Sequence, residues 1–156
     1  DDHLTADSAK AVIYGGDGDD FIYVTANATA AVIDGGAGAD TFDITGATLG
    51  VEAFATFNNV GAGDTFILNA GSFSSAAVDM TLDDPSTSDW INAAFAQTDG
   101  TAGEAIWFQH NGNTYIVDNS GDAGFDAAND VVVKLTGLID LSTASFNATD
   151  GTLEIA

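Results

Sequence analysis

The sequence predicts a mainly β protein. A short parallel β-roll over residues 11–70 is followed by a β-rich C-terminal cap over residues 71–156 with one short helix. Three observations predict it. Two glycine-aspartate segments, Gly15-Gly16-Asp17-Gly18-Asp19-Asp20-Phe21-Ile22 and Gly35-Gly36-Ala37-Gly38-Ala39-Asp40-Thr41-Phe42, recur 20 residues apart. Each follows a short apolar strand, Ala11-Val12-Ile13 or Ala31-Val32-Ile33, and fits the nine-residue pattern G-G-x-G-x-D-x-U-x with U large and apolar. Beyond residue 70 this repeat gives way to hairpin and helix-cap signals.

Residues 1–10 are polar and read as a lead-in. The first unit runs as strand 11–14, loop 15–20, strand 21–24 and turn 25–30. The second runs as strand 31–34, loop 35–40, strand 41–45 and turn 46–50. Glycine lets each loop turn tightly and point carbonyls inward. A third unit follows as strand 51–57, loop 58–64 and strand 65–69. Its loop, Asn58-Asn59-Val60-Gly61-Ala62-Gly63-Asp64, keeps the aspartate and the apolar follower Phe66 but loses the double glycine. Asp64 comes 24 residues after Asp40. Terminal repeats are commonly atypical, so this reads as a capping turn. Two strands and two turns per 20 residues make one coil, which stacks the three loops on one edge. The opposite turns, 25–30 and 46–50, carry no carboxylate. Ions are therefore expected along one edge only, in two sites between successive loops.

In the cap, Ser86-Thr87-Ser88-Asp89 ahead of Trp90, Ile91, Ala94 and Phe95 reads as a capped amphipathic helix ending near Gly100. Glu104 to Val117 reads as a hairpin around Asn111-Gly112, a strong short hairpin signal. Val131 to Leu135 is a further strand, and Leu153 to Ala156 a short apolar end.

Composition narrows the function. Apolar residues make up 46 % of the 156, enough for a core. The 24 acidic residues face only Lys10 and Lys134, giving a net charge of −22 with no arginine. Phosphate binding needs Lys and Arg, so nucleic acid and anionic membrane surfaces are poor partners. Glu52, Glu104 and Glu154 are the only glutamates. Aspartate is short and favours turns, where calcium sites draw their oxygens. An acidic surface suited to high salt is the competing explanation for part of this charge. The absence of cysteine excludes disulfides and thiolate metal sites. No stretch is long and apolar enough to span a membrane, and Asp1-Asp2-His3 does not look like a secretory leader. Without an initiator Met, the sequence reads as a processed or excised piece.

Asp20 and Asp40 stand at the carboxylate position of the repeat. Oxygen-only ligands on a turn suit a hard cation, with calcium the natural choice. Asp64 fits either a calcium ligand or a plain turn cap. Asp118, Ser120 and Asp122 imitate the opening of an EF-hand loop, but Ala123 replaces its glycine and Asn129 its glutamate. A solvated loop is the first reading there and a further calcium site the second. Enzyme chemistry finds little footing. His3 and His110 are the only histidines, and neither H-E-x-x-H nor G-x-S-x-G occurs. Asp83-Asp84 ahead of Pro85 fits a turn better than a glycosidase pair. Trp90, Trp107, Phe108 and Tyr115 suit burial more readily than sugar stacking.

The two glycine-aspartate loops make the chain resemble the RTX proteins. The segment Phe57 to Leu68 is similar to the one that closes their rolls. Gly112 to Asn119 and Asp130 to Gly137 resemble their C-terminal domains. The resemblance implies that the Asp20 and Asp40 carboxylates bridge adjacent turns. Carbonyls of Gly15, Gly16, Asp17, Gly18, Gly35, Gly36 and Gly38 would complete the shell, with Ala37 standing where Asp17 stands in the first loop. It also implies export by a type I secretion system with an uncleaved C-terminal signal. The composition looks most like a bacterial surface-layer (S-layer) protein. The expected function is a non-enzymatic, calcium-binding structural module, secreted to the cell surface, which folds on extracellular calcium and self-associates into ordered arrays. The alternatives are the C-terminal module of a secreted hydrolase, such as a serralysin-like protease or a lipase, or of an adhesin, and a carbohydrate-binding β module.

Overall fold

A computed structural model describes residues 1–47, 54–80, 91–94, 102–119, 125–126 and 128–156. Within them the chain is mainly β, arranged in two mixed sheets with one helical turn at 91–94. The first seven strands are β1 (His3–Ala6), β2 (Val12–Asp17), β3 (Phe21–Thr25), β4 (Val32–Ala37), β5 (Thr41–Gly46), β6 (Ala55–Asn58) and β7 (Thr65–Ile67). They alternate between the sheets: odd-numbered strands pair parallel in one, even-numbered strands pair parallel in the other.

This alternation follows from the repeat. The apolar residue two places after each loop aspartate points between the sheets. Leu4, Ile22, Phe42 and Phe66 stand opposite one another on successive odd strands. Ile13, Ile33 and Phe57 form the matching column on the even strands. Phe42, Phe57 and Phe66 are fully buried and meet with ring centroids 5.0 to 5.1 Å apart, within the favourable range for aromatic pairs.

Six strands complete the sheets: β8 (Ser72–Phe73), β9 (Glu104–His110), β10 (Asn113–Asp118), β11 (Val131–Leu135), β12 (Ser145–Asn147) and β13 (Thr152–Glu154). β11 continues the parallel stack next to β6, setting Leu135 opposite Phe57. β10 and β9 follow antiparallel, with β8 at the edge. On the other sheet β13 pairs antiparallel with β7, setting Leu153 opposite Phe66. A second apolar cluster, with Ile91, Ile106, Phe108, Tyr115 and Val132, packs on the other face of β9 to β11.

The Asn111-Gly112 turn joins β9 and β10 as the sequence predicts. Both residues have positive φ, 48° and 77°, as the favoured two-residue hairpin turn requires. A Cβ at Gly112 would meet nothing within 4 Å, so only backbone strain opposes it. Gly112→Ala is expected to cost about 1 kcal/mol in urea unfolding.

Several boundaries differ from the sequence reading. Residues 3–6 are no lead-in: β1 pairs in full register with β3, since its alternation buries Ala6 and half-buries Leu4. β2 and β4 run on through Asp17 and Ala37, so half of each glycine loop belongs to the ladder. The C-terminal end is a hairpin, β12–β13, clamped to the end of β7 by the Leu68 N–H on the Gly151 carbonyl at 2.9 Å. The helix cap Ser86–Asp89, Trp90, the Phe95–Gly100 end, Asp83-Asp84, residues 48–53 and the loop 120–124 lie outside the described residues. No helix among the described residues is long and apolar enough to cross a membrane.

Candidate metal centre

The glycine loops meet rung on rung. Gly16 pairs with Gly36 and Asp17 with Ala37, and the Gly18 N–H donates to the Ala37 carbonyl at 2.8 Å. Neighbouring strands lie about 4.8 Å apart, leaving little room between loops. Glycine is required for two distinct reasons. Gly16, Gly18, Gly36 and Gly38 have φ between 104° and 145°, conformations that side chains disfavour. A Cβ at Gly15 or Gly35 would strike the Asp20 or Asp40 carboxylate, and one at Gly36 or Gly38 the backbone of Gly16 or Gly18.

The aspartates form a column beside these loops. Asp20, Asp40 and Asp64 are 1 %, 2 % and 3 % exposed. Asp40 Oδ1 accepts the Asp20 N–H at 2.9 Å, and Asp64 Oδ1 accepts the Asp40 N–H at 2.9 Å. Asp20 Oδ1 accepts the Asp2 N–H at 2.6 Å. Each carboxylate thus reaches back to the equivalent amide of the preceding rung. The second oxygens differ. Asp64 Oδ2 accepts the Gly61 N–H of its own loop at 2.9 Å, the turn-cap role open to it from sequence. Asp20 Oδ2 is buried with no hydrogen-bond partner among the described residues.

A buried acceptor without a donor is costly, more so when charged. Burial pushes the Asp40 carboxyl above its ordinary range. The Asp20 N–H holds it down, and the charges of Asp64, Asp20 and Asp19 add to the rise. The column is a stack of buried like charges. It offers carboxylate and carbonyl oxygens only, the donor set of hard cations. Among the described residues no three His, Cys, Asp or Glu side chains converge on one point. The carboxylates are strung along an edge, where backbone carbonyls would have to complete any shell.

All the sequence-picked residues, Gly15, Gly16, Asp17, Gly18, Asp20, Gly35, Gly36, Ala37, Gly38, Asp40 and Asp64, lie along this edge. Sequence reasoning missed two further members. Asp2 sits one rung before Asp20, its carbonyl accepting the Phe21 N–H at 2.9 Å. Asp2-His3-Leu4 keeps the aspartate and apolar follower of the repeat, and that spacing was the available signal. Asp19 forms a second column: its Oδ1 accepts the Ala39 N–H, and its own N–H donates to Asp1 Oδ1, both at 2.8 Å. The opposite edge is not bare of carboxylates. Asp7 lies there, its Oδ1 accepting the Thr25 hydroxyl at 2.7 Å and the Asn27 amide at 3.0 Å. Those bonds hold its pKa below the usual value.

No protein-family model matches this chain, and a search of curated proteins finds no match.

Proposed function

We propose that this chain is a calcium-binding, RTX-type β-roll module of a type I-secreted bacterial surface protein. It folds on extracellular calcium and supports ordered surface assembly such as an S-layer. One observation carries the reading: a column of buried aspartates against glycine-rich backbone, with Asp20 Oδ2 lacking any donor among the described residues. The amino terminus lies 3.7 Å from Asp20 Oδ1 and offsets part of the charge at that end, but hydrogen bonding leaves Asp20 Oδ2 and the like charges of Asp40 and Asp64 unanswered. Bound calcium would supply positive charge between successive loops. Asp20 and Asp40 would hold it with carbonyls of the glycine loops. Asp64, already bonded through both oxygens, would contribute more weakly to the second gap.

Ligand binding at 100-fold excess over the dissociation constant adds about 2.7 kcal/mol per site. Typical domain stability is about 5–15 kcal/mol, so two sites decide whether the fold is populated. At low cytosolic calcium the carboxylates repel and the chain stays loose enough for export. At millimolar calcium outside the cell it folds. The net charge of −22 then favours assembly in which calcium bridges acidic faces. Circular dichroism titrations test the first step: the β signal is expected to grow as calcium replaces EGTA. An identical spectrum in both sinks the reading.

A further inference from the structure

A second set of carboxylates lies at the other edge of the sheets. β10 ends at Asp118, which stands opposite Val131 at the start of β11. β11 runs parallel to β6, whose far end leads into the third glycine-poor loop. Asp118 and Asp130 therefore sit where the even strands begin, away from the glycine column. Both are buried, at 0 % and 1 % exposure, and Asn119 at 0 % is buried beside them.

Asp118 is tied across the sheets. Its Oδ2 accepts the Asn69 N–H just beyond β7 at 2.7 Å, across 49 residues of sequence. Asp118 Oδ1 is buried and has no hydrogen-bond partner among the described residues. Asp130 Oδ2 accepts the Asp126 N–H at 2.6 Å. Burial pushes the Asp118 carboxyl up to about 6; the Asn69 and Ala70 N–H groups oppose the rise, and the Asp130 charge adds to it. No positive charge is among the groups that shift it. A fully buried carboxylate with one oxygen idle and a like charge beside it is unfavourable unless a proton or a cation completes it.

We propose that Asp118 and Asp130 bind a divalent cation of the calcium class, in a site separate from the glycine loops. The donors are oxygen-only, as a hard cation requires. The site joins β7 of one sheet to β10 and β11 of the other through a single carboxylate. It would lock the hairpin-bearing half of the chain onto the repeat-bearing half. This inference stands on Asp118 and does not depend on the glycine column.

Titrating the full wild-type chain with gadolinium(III), a paramagnetic stand-in for calcium, tests it by 15N NMR. Broadening is expected at the Asn69, Ala70 and Val131 amides, reversed by excess calcium. It should be distinct from any broadening at Gly16, Gly36 and Asp40. If those three amides stay sharp at saturating ion, no cation enters beside Asp118 and the inference falls. Broadening there with sharp glycine-loop amides would uphold this site and defeat the loop reading. Asp118→Asn is expected to lower the calcium stoichiometry in calorimetry by one ion, while glycine-loop broadening persists. Unchanged stoichiometry in that folded variant would overturn the proposal. Should the variant fail to fold, the wild-type NMR decides.

Discussion

Asp40→Ala is expected to lose about 5 kcal/mol of calcium-dependent stability, twice the gain of about 2.7 kcal/mol per site at 100-fold excess. Asp40 is the central carboxylate of the column, with Asp20 on one side and Asp64 on the other, so both gaps would need it. Alanine also strands the buried Asp20 N–H, which costs a further ~1–3 kcal/mol with or without calcium. Asp40→Asn separates the two effects, because its amide oxygen still accepts that N–H while the charge is gone. In EGTA at neutral pH, Asp40→Asn should be at least as stable as wild type. The sign follows from linkage. A carboxyl whose pKa is raised on folding binds its proton more tightly when folded. Its contribution is fully present below the ordinary Asp value near 4 and falls as pH rises above it. At neutral pH the ionised group opposes folding, and asparagine removes that opposition. In calcium the order should reverse. Urea unfolding of the three chains in both buffers gives the comparison. A wild-type calcium increment in Asp40→Asn would remove Asp40 from the site.

Gly16→Ala and Gly36→Ala should differ sharply although their φ values, 106° and 104°, are nearly the same. Around Gly16 a Cβ meets nothing within 4 Å, so only backbone strain of about 1–3 kcal/mol is added. A Cβ on Gly36 runs into the backbone oxygen, carbon and nitrogen of Gly16. Backbone cannot rotate away as a side chain can. Overpacking adds about 1–3 kcal/mol to the strain, making the second substitution about twice as damaging. Gly36→Ala should also blunt any calcium response, since it forces apart the two loops that face each other. Equal losses at both positions in thermal unfolding would mean that the loops do not stack in this register.

Much of this was legible in the sequence because a repeat is a statement about geometry. The 20-residue spacing of Asp20 and Asp40 places Ile22 opposite Phe42, and that pairing is what the structure contains. The Asn111-Gly112 turn announced itself by residue type. Other elements carried no such mark. β1 has the right apolar alternation, but only Asp1 and Asp2 stand ahead of it to show the loop pattern. β12 and β13 are three residues each, too short to show a period, and their pairing with β7 is a long-range matter. Along its own loop Asp118 shows only an incomplete local ligand spacing. What buries it is a bond to Asn69 that no local pattern reveals. The hydrogen-bonding role of the loop aspartates was hidden for the same reason: each acceptor serves an amide about 20 residues away.

The two ends of the sheets are unlike. At one end the outermost strands are β1 and β2, four and six residues long, with Val12 and Tyr14 exposed on β2. At the other, β8 and β12 have two and three residues, and β13 runs against its neighbour β7. Short edge strands offer few free amides to a newcomer, and a long one offers a ladder already in register. The module therefore has a polarity. A newcomer strand would find the longer unpaired ladder at the β1–β2 end, while the short β8 and β12 edges leave it few amides to meet.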